Sequence, residues 1–166
     1  MSTRALIAIP VPVGLFEGRY HHTCGDPTGL GRSLWHLCRD HFEGCVASMV
    51  RTLVYDHEAW SCIVDADWSR PIGYVQYEKR GDFPWPPMCY CHGERSEGPF
   101  PLVKASKTGI DLEWAYVLGE AMTVYAATYE TPSYELGETE QAEVRWREVA
   151  VVDWAVEPNW AELEKA

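Results

Sequence analysis

The sequence predicts a single α+β domain over residues 1–166, an antiparallel sheet with two helices packed on one face. Three observations predict it. Short apolar runs of strand length stand near both ends of the chain, and between them lie two segments with apolar residues at helical spacing. The 166 residues, 46% of them apolar and 8 of them tryptophan, are enough to bury a core.

Residues 5–13 and 15–22 predict two strands joined at Gly14 as a hairpin. The turn Gly25-Asp26-Pro27-Thr28-Gly29-Leu30-Gly31 opens a helix, because Asp26 can accept the free amides of the first turn and Pro27 has no amide to lose. Leu30, Leu34, Leu37 and Cys38 continue it at helical spacing. A second helix follows Gly44, with Cys45, Val46, Met49, Val50, Leu53 and Val54 as its apolar stripe. Cys38, Cys45 and Cys62 read as small core side chains. Residues 80–101 are dense in Pro, Gly and aromatics (Phe83-Pro84-Trp85-Pro86-Pro87) and predict an irregular loop. Residues 112–118 and 122–128 alternate as strands around Gly119-Glu120-Ala121. Residues 144–154 give a last strand before a short tail helix near Trp160 and Leu163.

The net charge of −11 argues against direct contact with nucleic acid, since phosphate binding needs clustered Lys and Arg. From Asp111 onward the only bases are Arg145, Arg147 and Lys165. Acids such as Glu138, Glu140 and Glu143 suit a solvated face better than a DNA mimic. No apolar run is long enough to span a membrane, and the first one is broken by Pro10 and Pro12 before it could serve as a signal peptide. With nothing directing export, the 6 cysteines read as reduced thiols and the expected location is a bacterial cytoplasm.

Several constellations bear on chemistry. The turn from Gly25 to Ser33 resembles a phosphate loop, but Arg32 stands where Lys belongs and no buried parallel strand supplies a magnesium-binding Asp. A plainer anion site at the helix start, with Arg32 as donor, competes with Asp26 acting as a simple cap. His21, His22 and Cys24 together with Cys89, Cys91 and His92 are zinc-type residues. The two thiols of Cys89-Tyr90-Cys91 are nevertheless spaced more tightly than the usual pair, so neither a metal nor another cofactor is expected. Cys24 with His21 or His22 lacks an orienting acid and an oxyanion hole, and Asp65, Asp67, Asp82 and Glu94 are scattered; no catalytic residue is assigned.

The run from Gly18 to Gly31 resembles the signature G-x-Y-x-H-W-D-G-Y-P-x-x-x-G, which marks a family of small proteins of actinobacteria, other bacteria and their phages. Gly18, Tyr20, His22, Gly25, Pro27 and Gly31 match in register, while Thr23, Cys24 and Asp26 replace Trp, Asp and Tyr. His57-Glu58-Ala59-Trp60-Ser61 is similar to the family's H-Y-x-W-S, and Glu113-Trp114-Ala115-Tyr116 to its E-Y-x-Y strand. The resemblance implies a phage or prophage origin, and the replaced Trp-Asp pair favours a binding module over an enzyme. The expectation is therefore a non-catalytic protein that engages a host protein or sequesters a small anionic, nucleotide-like ligand through Tyr20, His22, Thr28, Arg32, Ser33 and Trp60. The alternative is a small enzyme acting on a phosphate-bearing substrate through His22, Cys24 and Arg32.

Overall fold

A computed structural model describes residues 2–106, 111–129 and 144–166. The acids Glu138, Glu140 and Glu143 of the mimic reading lie outside these residues. The sheet is built around β1 (Ala5–Pro10), whose run Ala5-Leu6-Ile7-Ala8 is buried on both faces. Only a strand covered on both sides accommodates such an unbroken apolar run.

β1 pairs antiparallel with β2 (Phe16–His21), forming the predicted hairpin, and parallel with β6 (Trp114–Leu118) on its other edge. From β6 the sheet continues antiparallel through β7 (Met122–Tyr129) to β8 (Val144–Val152). Beyond β2 lie β3 (Ala59–Cys62), parallel to it, and β5 (Val103–Lys104), antiparallel; β4 (Met88–Cys89) closes the row outside β3. The order is β4-β3-β2-β1-β6-β7-β8, with β5 beside β2. The sheet is thus mixed, where an antiparallel one was expected. One parallel pair, β2 and β3, is joined by the intervening helical segments, and the other unites β1 with β6 from far along the chain; the period-2 alternation that marks a strand encodes neither partner nor direction. The stretch expected to be irregular also contributes β4.

The helices do lie on one face. Asp26 starts a π-helical turn, Pro27–Gly31, that runs into α1 (Arg32–Asp40). α2 (Val46–Val50) runs into a second such turn, Arg51–Tyr55, and α3 (Trp160–Lys165) closes the same face. Leu30, Leu34, Met49, Leu53 and Trp160 pack there on Ile7 and Tyr116. The opposite face carries its own cluster, with Leu6, Ala8, Ala115 and Val117 against Phe16 and Val103. Cys38 is buried as expected, whereas Cys62 is half-buried and Cys45 is exposed. Cys45 sits at the N-cap of α2, outside the packed stripe. No helix among the described residues is long and apolar enough to cross a membrane.

Candidate metal centre

The turn singled out in the sequence divides between two places. At the helix start, Asp26 Oδ1 accepts from the Gly29 N–H at 2.8 Å and from the Thr28 hydroxyl at 2.9 Å. The carboxylate already occupies the positive end of the turn, where it opposes a second anion. Arg32 faces Asp65 at 3.2 Å, and Ser33 Oγ accepts from the Asp65 N–H at 3.2 Å. Ser33 and Asp65 line a cleft of about 340 Å³ along α1 to which neither Tyr20 nor His22 contributes. Those two stand together elsewhere, the Tyr20 hydroxyl 2.8 Å from His22 Nδ1. Partial desolvation of this exposed thiol, and after it Asp26 and Asp65, pushes Cys24 up, the opposite of what an activated nucleophile needs. Trp60 is fully buried and its indole N–H donates to the Leu53 carbonyl at 2.9 Å, so it serves packing and touches no ligand. The six residues expected to share a binding site do not converge.

A different set does. His57, Cys89, Cys91 and His92 bring one donor atom each to within 4.8 Å of all the others. The Cys91 sulfur lies 3.2 Å from His92 Nδ1 and 3.7 Å from His57 Nδ1, and the Cys89 sulfur 3.5 Å from His92 Nδ1. Zinc–sulfur and zinc–nitrogen bonds of ordinary length, set tetrahedrally, place sulfur and nitrogen about 3.6 Å apart. The donor set therefore has the chemistry of a Cys₂His₂ zinc site, and these three sulfur–nitrogen edges lie close to its lengths.

Local structure explains the convergence. His57 follows the π-helical turn Arg51–Tyr55 and leads into β3. Cys89 ends β4 in register with Trp60, and the ladder extends one residue further through the Tyr90 N–H to the Ala59 carbonyl at 2.9 Å. Past Cys89 the chain leaves the strand and bends through Tyr90, Cys91 and His92, which brings the Cys91 sulfur to His57 and both sulfurs to His92. Gly93 then reverses the chain at φ +78°, and a Cβ there would lie 2.6 Å from both the backbone N and the O of Tyr74. Only glycine allows this close approach, which holds His92 beside the two thiols.

The surroundings fit a metal. Burial first, and His92 second, pulls the His57 imidazole down to about 4, so at neutral pH it is the neutral base that a metal binds. Burial and then Cys91 push the Cys89 thiol up to about 12. A divalent cation reverses that preference and holds both sulfurs as thiolates. The Glu58 N–H donates to the Cys91 sulfur at 3.3 Å, and Glu58 Oε2 accepts from the Phe100 N–H at 2.8 Å, tying the far end of the segment to the centre. The Trp60 ring lies 4.7 Å from that of His57 and forms an apolar wall.

Sequence reasoning grouped Cys89, Cys91 and His92 with His21, His22 and Cys24, and set a metal aside on the spacing of the two thiols. In the fold His57 is the fourth donor. Its position immediately before the Ala59–Cys62 strand, a strand not identified in the sequence, was the one available signal. The chain matches no protein-family model, no curated protein and no solved structure.

Proposed function

We propose that this chain is a zinc-binding, non-catalytic binding module in which His57, Cys89, Cys91 and His92 hold the metal. The observation that carries the reading is the approach of four zinc-type donors to within 4.8 Å, from two segments more than thirty residues apart. Four protein ligands fill a tetrahedral zinc and leave no position for substrate or water, which favours a structural role over a catalytic one. The metal fastens the Pro-, Gly- and aromatic-rich segment to the edge of the sheet, where Phe83 of that segment and Tyr77 just before it are exposed to solvent. The resemblance to phage proteins makes a host protein the natural partner for such a module. The rival enzyme reading draws no support from the geometry, because Arg32 is paired with Asp65 and the Cys24 thiol is pushed up.

The test is metal content and coordination. Protein purified without a metal-affinity tag should hold one zinc per chain by elemental analysis. Cobalt substituted for zinc should give the strong d–d bands of tetrahedral coordination and thiolate-to-cobalt charge transfer. Cys89→Ser and His57→Ala should each abolish both. Stoichiometric zinc that survives both substitutions, or a protein that cannot be loaded, overturns the reading.

A further inference from the structure

We infer that the centre releases its metal on oxidation: a hydroperoxide reaching Cys91 joins it to Cys89 and discharges the zinc. The inference rests on the zinc reading above and adds its regulation.

The four donors are unequally placed. His57 and Cys89 are buried, Cys91 is half-buried and His92 is exposed. Cys91 and His92 line an open cleft of about 450 Å³ together with Glu58, Ser96 and Glu97, and Cys91 supplies its only sulfur. A small oxidant can therefore meet one thiolate of the centre directly while the other stays shielded behind it. The shielded thiolate lies within 4.8 Å of the first, close enough to attack it after a small side-chain movement. An accessible thiolate backed by a second one is the arrangement of a redox-sensing cysteine and its resolving partner.

The chemistry balances with the hydroperoxide as the sole oxidant. The Cys91 thiolate attacks the terminal peroxide oxygen and the O–O bond breaks. Cys91 becomes a sulfenic acid, and the departing alkoxide or hydroxide takes a proton from water. The Cys89 thiolate then attacks the Cys91 sulfur, an S–S bond forms, and hydroxide leaves and is protonated to water. Two thiolates have given two electrons to one peroxide. Zinc is left with two imidazoles, one of them exposed, and its affinity falls with the loss of both thiolates.

Simple exposure would favour other sulfurs, since Cys24 and Cys45 are the exposed thiols. The experiment uses the full-length, zinc-loaded chain carrying Cys24→Ser and Cys45→Ser, titrated with hydrogen peroxide. A chromogenic chelator follows the zinc, and mass spectrometry follows the tryptic peptide between Arg80 and Arg95, which contains Cys89 and Cys91. We expect one zinc released per peroxide consumed, a peptide lighter by two hydrogens, and recovery of binding with a thiol reductant and fresh zinc. Zinc retained under excess peroxide, or zinc lost while the peptide is unchanged or carries only sulfinic acid, overturns the switch and leaves the centre standing. A chain that never takes up zinc refutes the centre itself, so the two failures are distinct.

Discussion

The sulfur of Cys91 and Nδ1 of His57 lie 3.7 Å apart across a sequence separation of 34 residues. Between them the chain forms only the short strands β3 and β4 and a single turn of 3₁₀-helix at Tyr77–Lys79. Such a stretch has few backbone hydrogen bonds to resist local opening. A metal bound at its two ends closes it.

Removing the metal should therefore loosen this stretch before the rest of the molecule. Zinc held at a hundred times its dissociation constant stabilises the folded state by about 2.7 kcal/mol if the unfolded chain does not bind it. Chelation should lower the thermal midpoint by several degrees, and limited proteolysis should cut between residues 63 and 88 before it reaches α1. An unchanged midpoint with and without chelator would show that the four donors hold nothing of structural consequence.

The helix start yields a comparison of two neighbouring substitutions. Asp26→Ala removes the acceptor of the Gly29 N–H and should cost about 1 kcal/mol. Arg32→Ala breaks a pair whose side chains are 45% and 50% exposed, and should cost less than about 0.5 kcal/mol. Urea unfolding of both variants decides it; equal losses would contradict the cap.

What was legible in the sequence followed chain-local physics. Asp26-Pro27 marked a helix start because capping involves residues three apart, and Ala5-Leu6-Ile7-Ala8 marked a strand because its burial is continuous. The parallel neighbour of β1 was not legible, since Trp114–Leu118 shows its own alternation and nothing of its partner. Trp60 was placed in the expected site as an aromatic of the segment similar to the family's H-Y-x-W-S, yet its register with Cys89 puts it in the core. The metal centre was hidden for a related reason. Cys89-Tyr90-Cys91-His92 is visible as a cluster, but its completion by His57 depends on the pairing of two short strands, and neither the Ala59–Cys62 run nor the Met88–Cys89 run is long enough to show period-2 alternation.

Gly31 should tolerate no side chain, though it lies in a helical stretch where alanine is normally the better residue. A Cβ there would stand 2.9 Å from Tyr116 Cε1 and 3.0 Å from Trp160 Cζ3, two large rings in the core between α1, α3 and β6. Tyr116 is further fixed by its hydroxyl, which donates to the Gly25 carbonyl at 2.8 Å. Gly31→Ala should destabilise by about 1–3 kcal/mol through overpacking. A more stable variant, as helix propensity alone would give, would show that these rings move aside freely.

His21 should make stability depend on pH in mildly acidic solution. The side chain is fully buried, and its Nε2 accepts the Ile63 N–H at 3.2 Å, so the ring is neutral with its proton on Nδ1. Protonation would put a hydrogen on the very nitrogen that accepts this bond, and would charge a group that no solvent reaches. Burial first, and His22 second, accordingly pulls its pKa down to about 3. In the unfolded chain the same imidazole titrates near its ordinary value of about 6.5. Between these two values the unfolded state binds a proton that the folded state refuses, so stability rises with pH across the window and is lost as pH falls through it. For one fully buried histidine the slope approaches about 1.4 kcal/mol per pH unit in the middle of the window. His21→Gln keeps an acceptor for the Ile63 amide but cannot titrate. Urea unfolding at intervals from pH 7 to pH 4, with the metal chelated throughout so that the centre does not contribute, should show a steep decline for the native chain and a shallower one for the variant. Parallel curves would mean that His21 is reached by solvent, or leaves its pocket, before it takes up a proton.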